Sequence, residues 1–191
     1  MKLKISFLGL MFILCLSLTT NASQLDFSWN APKTYVHNKG TDGETMYIIW
    51  FYNLENTFEK PIAVPVEVFL MTDTGKKYLD TYYPEIMDHV AKLDEDYKEG
   101  KKYQHTAIAR GELVPKTIKH CVAMFEDVDP KVKRLDIFVT GISHFFFWRC
   151  RMIDSSYKIT YEREQGYWKL IEHGMTKDSS HSSYKVESGN W

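Results

Sequence analysis

Residues 119–151 read KHCVAMFEDVDPKVKRLDIFVTGISHFFFWRCR, and this stretch sets the expectation for the whole chain. In its first run Cys121, Ala123 and Phe125 fall on one phase of a period-2 pattern, with His120, Val122 and Met124 on the other. That is the side-chain alternation of a β-strand. Both phases are largely apolar, so a strand covered on both faces is predicted. After the break EDVDP, Leu135, Ile137 and Val139 alternate with Asp136, Phe138 and Thr140, as in a half-buried strand. A third run sets Phe146, Trp148, Cys150 and Met152 against Phe145, Phe147, Arg149 and Arg151.

Cys121 and Cys150 are thus each in phase with apolar neighbours, and a disulfide between them is the first expectation in a compartment that oxidises thiols. Such a bond would stabilise the fold by about 3–4 kcal/mol in the chain-entropy model. The alternatives are two buried, inert thiols or a reactive Cys121. His120 is a poor base for that cysteine, because adjacent strand residues point to opposite faces.

The first 22 residues have Lys2 and Lys4 ahead of an apolar run over residues 5–18, then a small polar stretch ending at Ala22. This is the pattern of a secretory signal peptide, and the run is too short for a spanning helix. Cys15 lies inside it. Removal of this leader takes away two lysines and no acid, so the formal charge moves from −1 to −3. A near-balanced, mildly acidic surface argues against nucleic acid as a partner. No second transmembrane candidate follows, and export to the periplasm or the extracellular space is expected.

Residues 23–44 are polar and turn-rich and can supply one or two short edge strands. The run TMYIIWFYNLEN from Thr45 is apolar on both phases and predicts a central strand. From Ile62, the residues Val64, Val66, Val68 and Leu70 mark one face, and Pro65 belongs at an edge or a bulge. The turn TDTG at residues 72–75 suggests a hairpin with residues 78–81. Pro84, Glu85, Ile86, Val90 and Leu93 then predict one short helix over about residues 84–93. The charged run 94–102 reads as a solvated loop, and strand character returns over 103–108. Further strands are expected at 157–161 and 167–171, on either side of a turn at Gly166. Residues 176–191 read as a polar tail.

The predicted organisation is therefore a leader (1–22), one domain (23–175) and a tail (176–191). The predicted fold is all-β, an immunoglobulin-like antiparallel β-sandwich with one short helix inserted between strands. A partly open barrel is the rival architecture. The succession MYIIWFYNLEN, PVEVFLMTDTGKKYLD, a Pro-Glu helix and ARGELVPKTIKHCVAMFEDVDPKVKRLDIFVTGIS resembles a family of exported bacterial proteins with no assigned activity. That family is similar to the immunoglobulin-like modules of bacterial envelope proteins. The resemblance covers roughly residues 46–168 and implies location and shape, with no catalytic residues to carry over.

No HExxH helix, GxSxG elbow, phosphate-binding glycine loop or CxxC pair is present. Glu126, Asp127 and Asp129 form an acidic turn that offers oxygen ligands to calcium, but three carboxylates fall short of a full site. No metal or other cofactor is expected. Phe145 and Phe147 are the candidate interaction surface, since they fall on the phase opposite Cys150. The function these features suggest is a non-enzymatic exported module, a structural or protein-binding part of the envelope whose partner is another envelope protein. A carbohydrate-binding module that stacks exposed aromatics on a polysaccharide is the alternative, and a thiol-dependent or hydrolytic enzyme stands third.

Overall fold

The computed structural model describes residues 25–38, 40, 42–94, 101–142 and 155–177. The strands in these residues are β1 (Leu25–Trp29), β2 (Lys33–His37), β3 (Thr45–Asn56), β4 (Ile62–Val64), β5 (Glu67–Thr72) and β6 (Lys77–Leu79). They continue with β7 (Tyr103–His105), β8 (Gly111–Leu113), β9 (Ile118–Glu126), β10 (Arg134–Thr140), β11 (Ser155–Glu164) and β12 (Tyr167–Lys177). The protein is mostly β. One sheet runs β1-β3-β9-β7, with β2 also on β3; the other runs β12-β11-β10-β5-β6, and β4 pairs with β8.

The apolar doubling of β3 and β9 has a direct cause in the packing. Ile48, Trp50, Tyr52 and Leu54 of β3 join Cys121, Ala123 and Phe125 of β9 in a core shared with Val68, Leu70, Leu135, Ile137, Val139, Ile159 and Tyr161 of the second sheet. The opposite phases, Tyr47, Ile49 and Phe51 with Val122 and Met124, lie under Ile86 and Val90. These two residues belong to the short helix, a 3-10 turn Pro84–Ile86 running into Met87–Ala91. It sits where the Pro-Glu signal predicted a helix, on the outer face of the first sheet. In β10 Leu135, Ile137 and Val139 point inward, as the alternation required, while Phe138 on the outer phase is buried against Phe69.

Pro65 divides the run expected from Ile62. β4 pairs with β8 and β5 with β10, so the chain changes sheets at the residue that has no N–H to give a ladder. The 72–75 turn closes the β5–β6 hairpin, with Gly75 N–H donating to Thr72 O at 2.9 Å. Gln165 and Gly166, both at positive φ, make the two-residue turn between β11 and β12. The chain from β1 into β2 runs along one edge of β3, interrupted at residues 30–32, where Pro32 cannot pair.

Three expectations need correction. The sheets are not wholly antiparallel, because β7 runs parallel to β9. Strand 103–108 ends at His105 and gives way to a single helical turn, Thr106–Ala109, capped by the His105 side chain. The charged run 94–102 begins with a buried residue. Asp94 is fixed by Asn30 Nδ2 at 2.8 Å, Lys101 Nζ at 2.8 Å and the Tyr103 hydroxyl. The third run, with Phe145, Phe147 and Cys150, lies outside the described residues, as do residues 178–191 of the expected tail and residues 1–22 of the expected leader.

Gly141 shows how closely the sheet change is packed. It has φ +77°, and a Cβ there would stand 2.3 Å from the Pro65 carbonyl oxygen. Gly75 has a similar φ of +78° with open space around it. Gly141→Ala should therefore cost about 2 kcal/mol or more in urea denaturation, and Gly75→Ala only about 1 kcal/mol for the left-handed backbone. Equal losses would show that the contact with Pro65 yields freely.

Candidate functional site

Among the described residues, Asp80, His105, Tyr52 and Cys121 lie near one seam, where the β6 edge of one sheet meets the β7 edge of the other. β7 pairs with β9 only as far as Val122. Two residues on, Met124 donates its N–H to Asp80 Oδ1 (2.8 Å), and its carbonyl accepts from Thr81 N (3.0 Å). Residues 80–81 thus occupy the β9 edge that β7 has left, as the chain passes from the second sheet to the helix on the first. Without them two buried backbone groups of Met124 would lack partners, a costly arrangement.

His105, the last residue of β7, holds Asp80 in place. Its Nε2 lies 2.6 Å from Asp80 Oδ1, and its Nδ1 accepts the Ala107 amide at 3.2 Å. An amide can only donate, so Nδ1 carries no proton and Nε2 does. The imidazole is neutral, and both of its nitrogens are occupied. Beside it, Tyr52 donates its hydroxyl to Thr106 Oγ1 at 3.1 Å.

Cys121 lies directly across from Tyr52 in the β3–β9 register and is fully buried. Its thiol is free and donates to the Lys119 carbonyl at 3.6 Å. Burial pushes its pKa up to about 12, so roughly one thiol in 10⁵ is ionised at pH 7. Cys150, its expected disulfide partner, is outside the described residues, and no disulfide occurs among them. His120 faces away from Cys121, on the outer side of the sheet. Asn53 Nδ2 donates to Ser28 Oγ at 3.0 Å, which leaves Asn53 Oδ1 to accept from His120 Nδ1 at 2.7 Å. Burial, then the nearby Lys101 charge, lowers the His120 pKa.

The acidic turn does not converge on a point. Glu126 accepts from Tyr47 (3.1 Å) and Tyr83 (2.5 Å), and burial followed by this carboxylate raises the Tyr83 hydroxyl to about 12. Asp127 takes a left-handed conformation, and Asp129 Oδ1 accepts the Lys131 amide at 2.8 Å. Among the described residues no three His, Cys, Asp or Glu side chains are grouped to hold a metal.

Phe145 and Phe147 cannot be located within the described residues, but other aromatics can. Phe27, Trp29, Tyr157 and His173 pack on one another, with ring centroids 5.0–5.9 Å apart, where β1 meets β11 and β12. The Asp80–His105 pair has no counterpart in the sequence reading. The two residues are 25 apart, form no motif and meet only because the chain changes sheets between them.

No family model matches this chain, and neither a curated protein nor a solved structure does so. Chemistry at the seam is thus read from its geometry. A neutral imidazole with both nitrogens engaged and a protonated thiol form no nucleophile–base couple. In the presence of reductant, Cys121 should resist iodoacetamide at pH 8 in the folded protein and react within minutes in denaturant, as followed by peptide mass mapping. Prompt labelling of the folded protein would overturn the burial argument.

Proposed function

We propose that this chain is an exported, non-enzymatic module of immunoglobulin-like β-sandwich type, serving the bacterial envelope by binding another protein. The leader-like residues 1–22 and the resemblance over residues 46–168 support export. Two sheets with one shared core support the sandwich. The consumption of the seam's polar groups by backbone and by one another supports a scaffold rather than a catalyst.

The observation that carries protein binding is the state of β12. Among the described residues this eleven-residue strand ends its sheet, and its position opposite β11 puts Leu170 and Met175 on the same phase as Tyr161 and Tyr157. Yet Leu170 and Met175 stand 44% and 53% exposed, with Tyr167 at 54% and Ile171 at 48%. A strand edge with no neighbour among the described residues, beside exposed apolar side chains, suits the addition of an extended strand from a partner. Ile171 is the extra residue of a bulge between Leu170 and Glu172, which leaves the stretch from Glu172 as the regular part.

A photo-cross-linker at position 171 should join the exported protein to one discrete envelope protein. Leu170→Asp combined with Met175→Asp should cut that yield at least tenfold while shifting stability by no more than about 0.5 kcal/mol, as expected for exposed sites. An unchanged yield would remove β12 from the interface. Saturable quenching of tryptophan fluorescence by a polysaccharide, with no cross-linked protein, would replace this reading by carbohydrate binding.

A further inference from the structure

β12 pairs with β11 as far as Lys177, which lies opposite Ser155, so the chain leaves the sheet at the very end of this edge strand. Residues 178–191, DSSHSSYKVESGNW, follow directly and lie outside the described residues. Most of them are polar, but Tyr184 and Val186 alternate with Lys185 and Glu187, the period of a strand with one apolar face. Asp178 and Ser179 are residue types that favour a turn. A chain that reverses there returns antiparallel along β12, on the side away from β11.

We infer that residues 180–188 add as a strand to the outer edge of β12 and there compete with a partner strand, an inference that rests on reading β12 as a strand-accepting edge. With a turn at Asp178–Ser179, and with Ile171 left out as it is opposite β11, Lys185 falls opposite Glu172, Val186 opposite Leu170 and Glu187 opposite Lys169. Tyr184 and Val186 then share the phase of Leu170 and Met175, which are 44% and 53% exposed. Tyr184, opposite His173, reaches Met175 along the diagonal. The charges are complementary in the same register. Glu172 is 62% exposed and lies 3.7 Å from Lys158 and 3.9 Å from Arg134, at the outer limit for an ion pair, so it is open to Lys185. Lys169 is bound to Glu164 at 2.9 Å but is 58% exposed, and its ammonium has further N–H groups for Glu187. A segment tethered through so short a turn faces the edge at an effective concentration on the order of millimolar. A partner strand must therefore outbid the tail, which also guards the edge against indiscriminate pairing.

The test is amide hydrogen exchange in the ¹⁵N-labelled full chain, read by NMR at the β12 amides directed away from β11. These should be protected at least tenfold relative to an unstructured peptide. Tyr184→Asp combined with Val186→Asp should abolish that protection and leave the amides between β11 and β12 unchanged. Lys185→Glu alone should lower it by about threefold, and Lys185→Glu with Glu172→Lys should restore it. The variant with both aspartates should also raise the cross-linking yield at position 171 at least threefold, and a yield that does not rise overturns the competition. Outward amides that exchange freely in the parent overturn the inference. So do outward amides that stay protected in the variant with both aspartates, since another segment or a second copy then covers the edge. Tail-dependent protection without any cross-linked protein upholds the added strand and removes the partner, so the two readings fail separately.

Discussion

The burial of β3 and β9 on both faces is the constraint on which the rest of the structure depends. A sheet whose central strands carry Trp50, Tyr52 and Phe125 on one side and Ile49, Phe51 and Met124 on the other cannot leave either side to water. Each such side chain contributes roughly 1.5–3 kcal/mol when fully buried. The second sheet covers one side, and among the described residues no further sheet covers the other. The helix residues Ile86 and Val90 do so, and the connection that delivers them must pass around the edge of β9. The Asp80 and Thr81 contacts to Met124 are the consequence of that passage.

Polar groups then mark where elements are joined. Asn56 is fully buried at the end of β3, where its amide donates to the Lys60 and Leu113 carbonyls and its Oδ1 accepts from Phe58 N. On the opposite side of the core Tyr161 donates to the Asn30 carbonyl at 3.3 Å, tying β11 to the bend between β1 and β2. Each bond adds only about 1 kcal/mol net, but removing one partner strands a buried group at a cost of about 1–3 kcal/mol. Such residues specify which strands meet more than they add to the total. The exposed ion pairs of the surface, such as Arg110 with Glu67, contribute less than either.

Much of this order was legible because it follows from period-2 patterning. The phases of Cys121, Ala123 and Phe125 and of Leu135, Ile137 and Val139 could be read directly, since a core on one face forces them. The helix at Pro84 and the hairpin at residues 72–75 carried local signals of their own. The parallel pairing of β7 was not legible, because three residues hold too little pattern to give a direction. The partnership of Asp80 with His105 was equally hidden. It depends on the path between sheets, and either residue alone reads as a surface side chain. Asp94, at the head of a charged run, looked solvated for the same reason, although Asn30 and Tyr103 draw it inward.

The two edges where the sheets approach each other are finished in opposite ways. On the β6–β7 side both edge strands are three residues long, and β9 is closed beyond β7 by Asp80 and Thr81. Short strands and a side chain used as a ladder partner are effective means of denying an edge to another chain. On the β1–β12 side the edge strand of the second sheet is eleven residues long and carries exposed Leu170 and Met175, with only the Ile171 bulge to interrupt it. Among the described residues, protection at one edge and its near absence at the other make the two sides of the molecule physically distinct. On the closed side the polar groups are consumed within the fold, whereas on the open side an edge strand and exposed apolar side chains lie together.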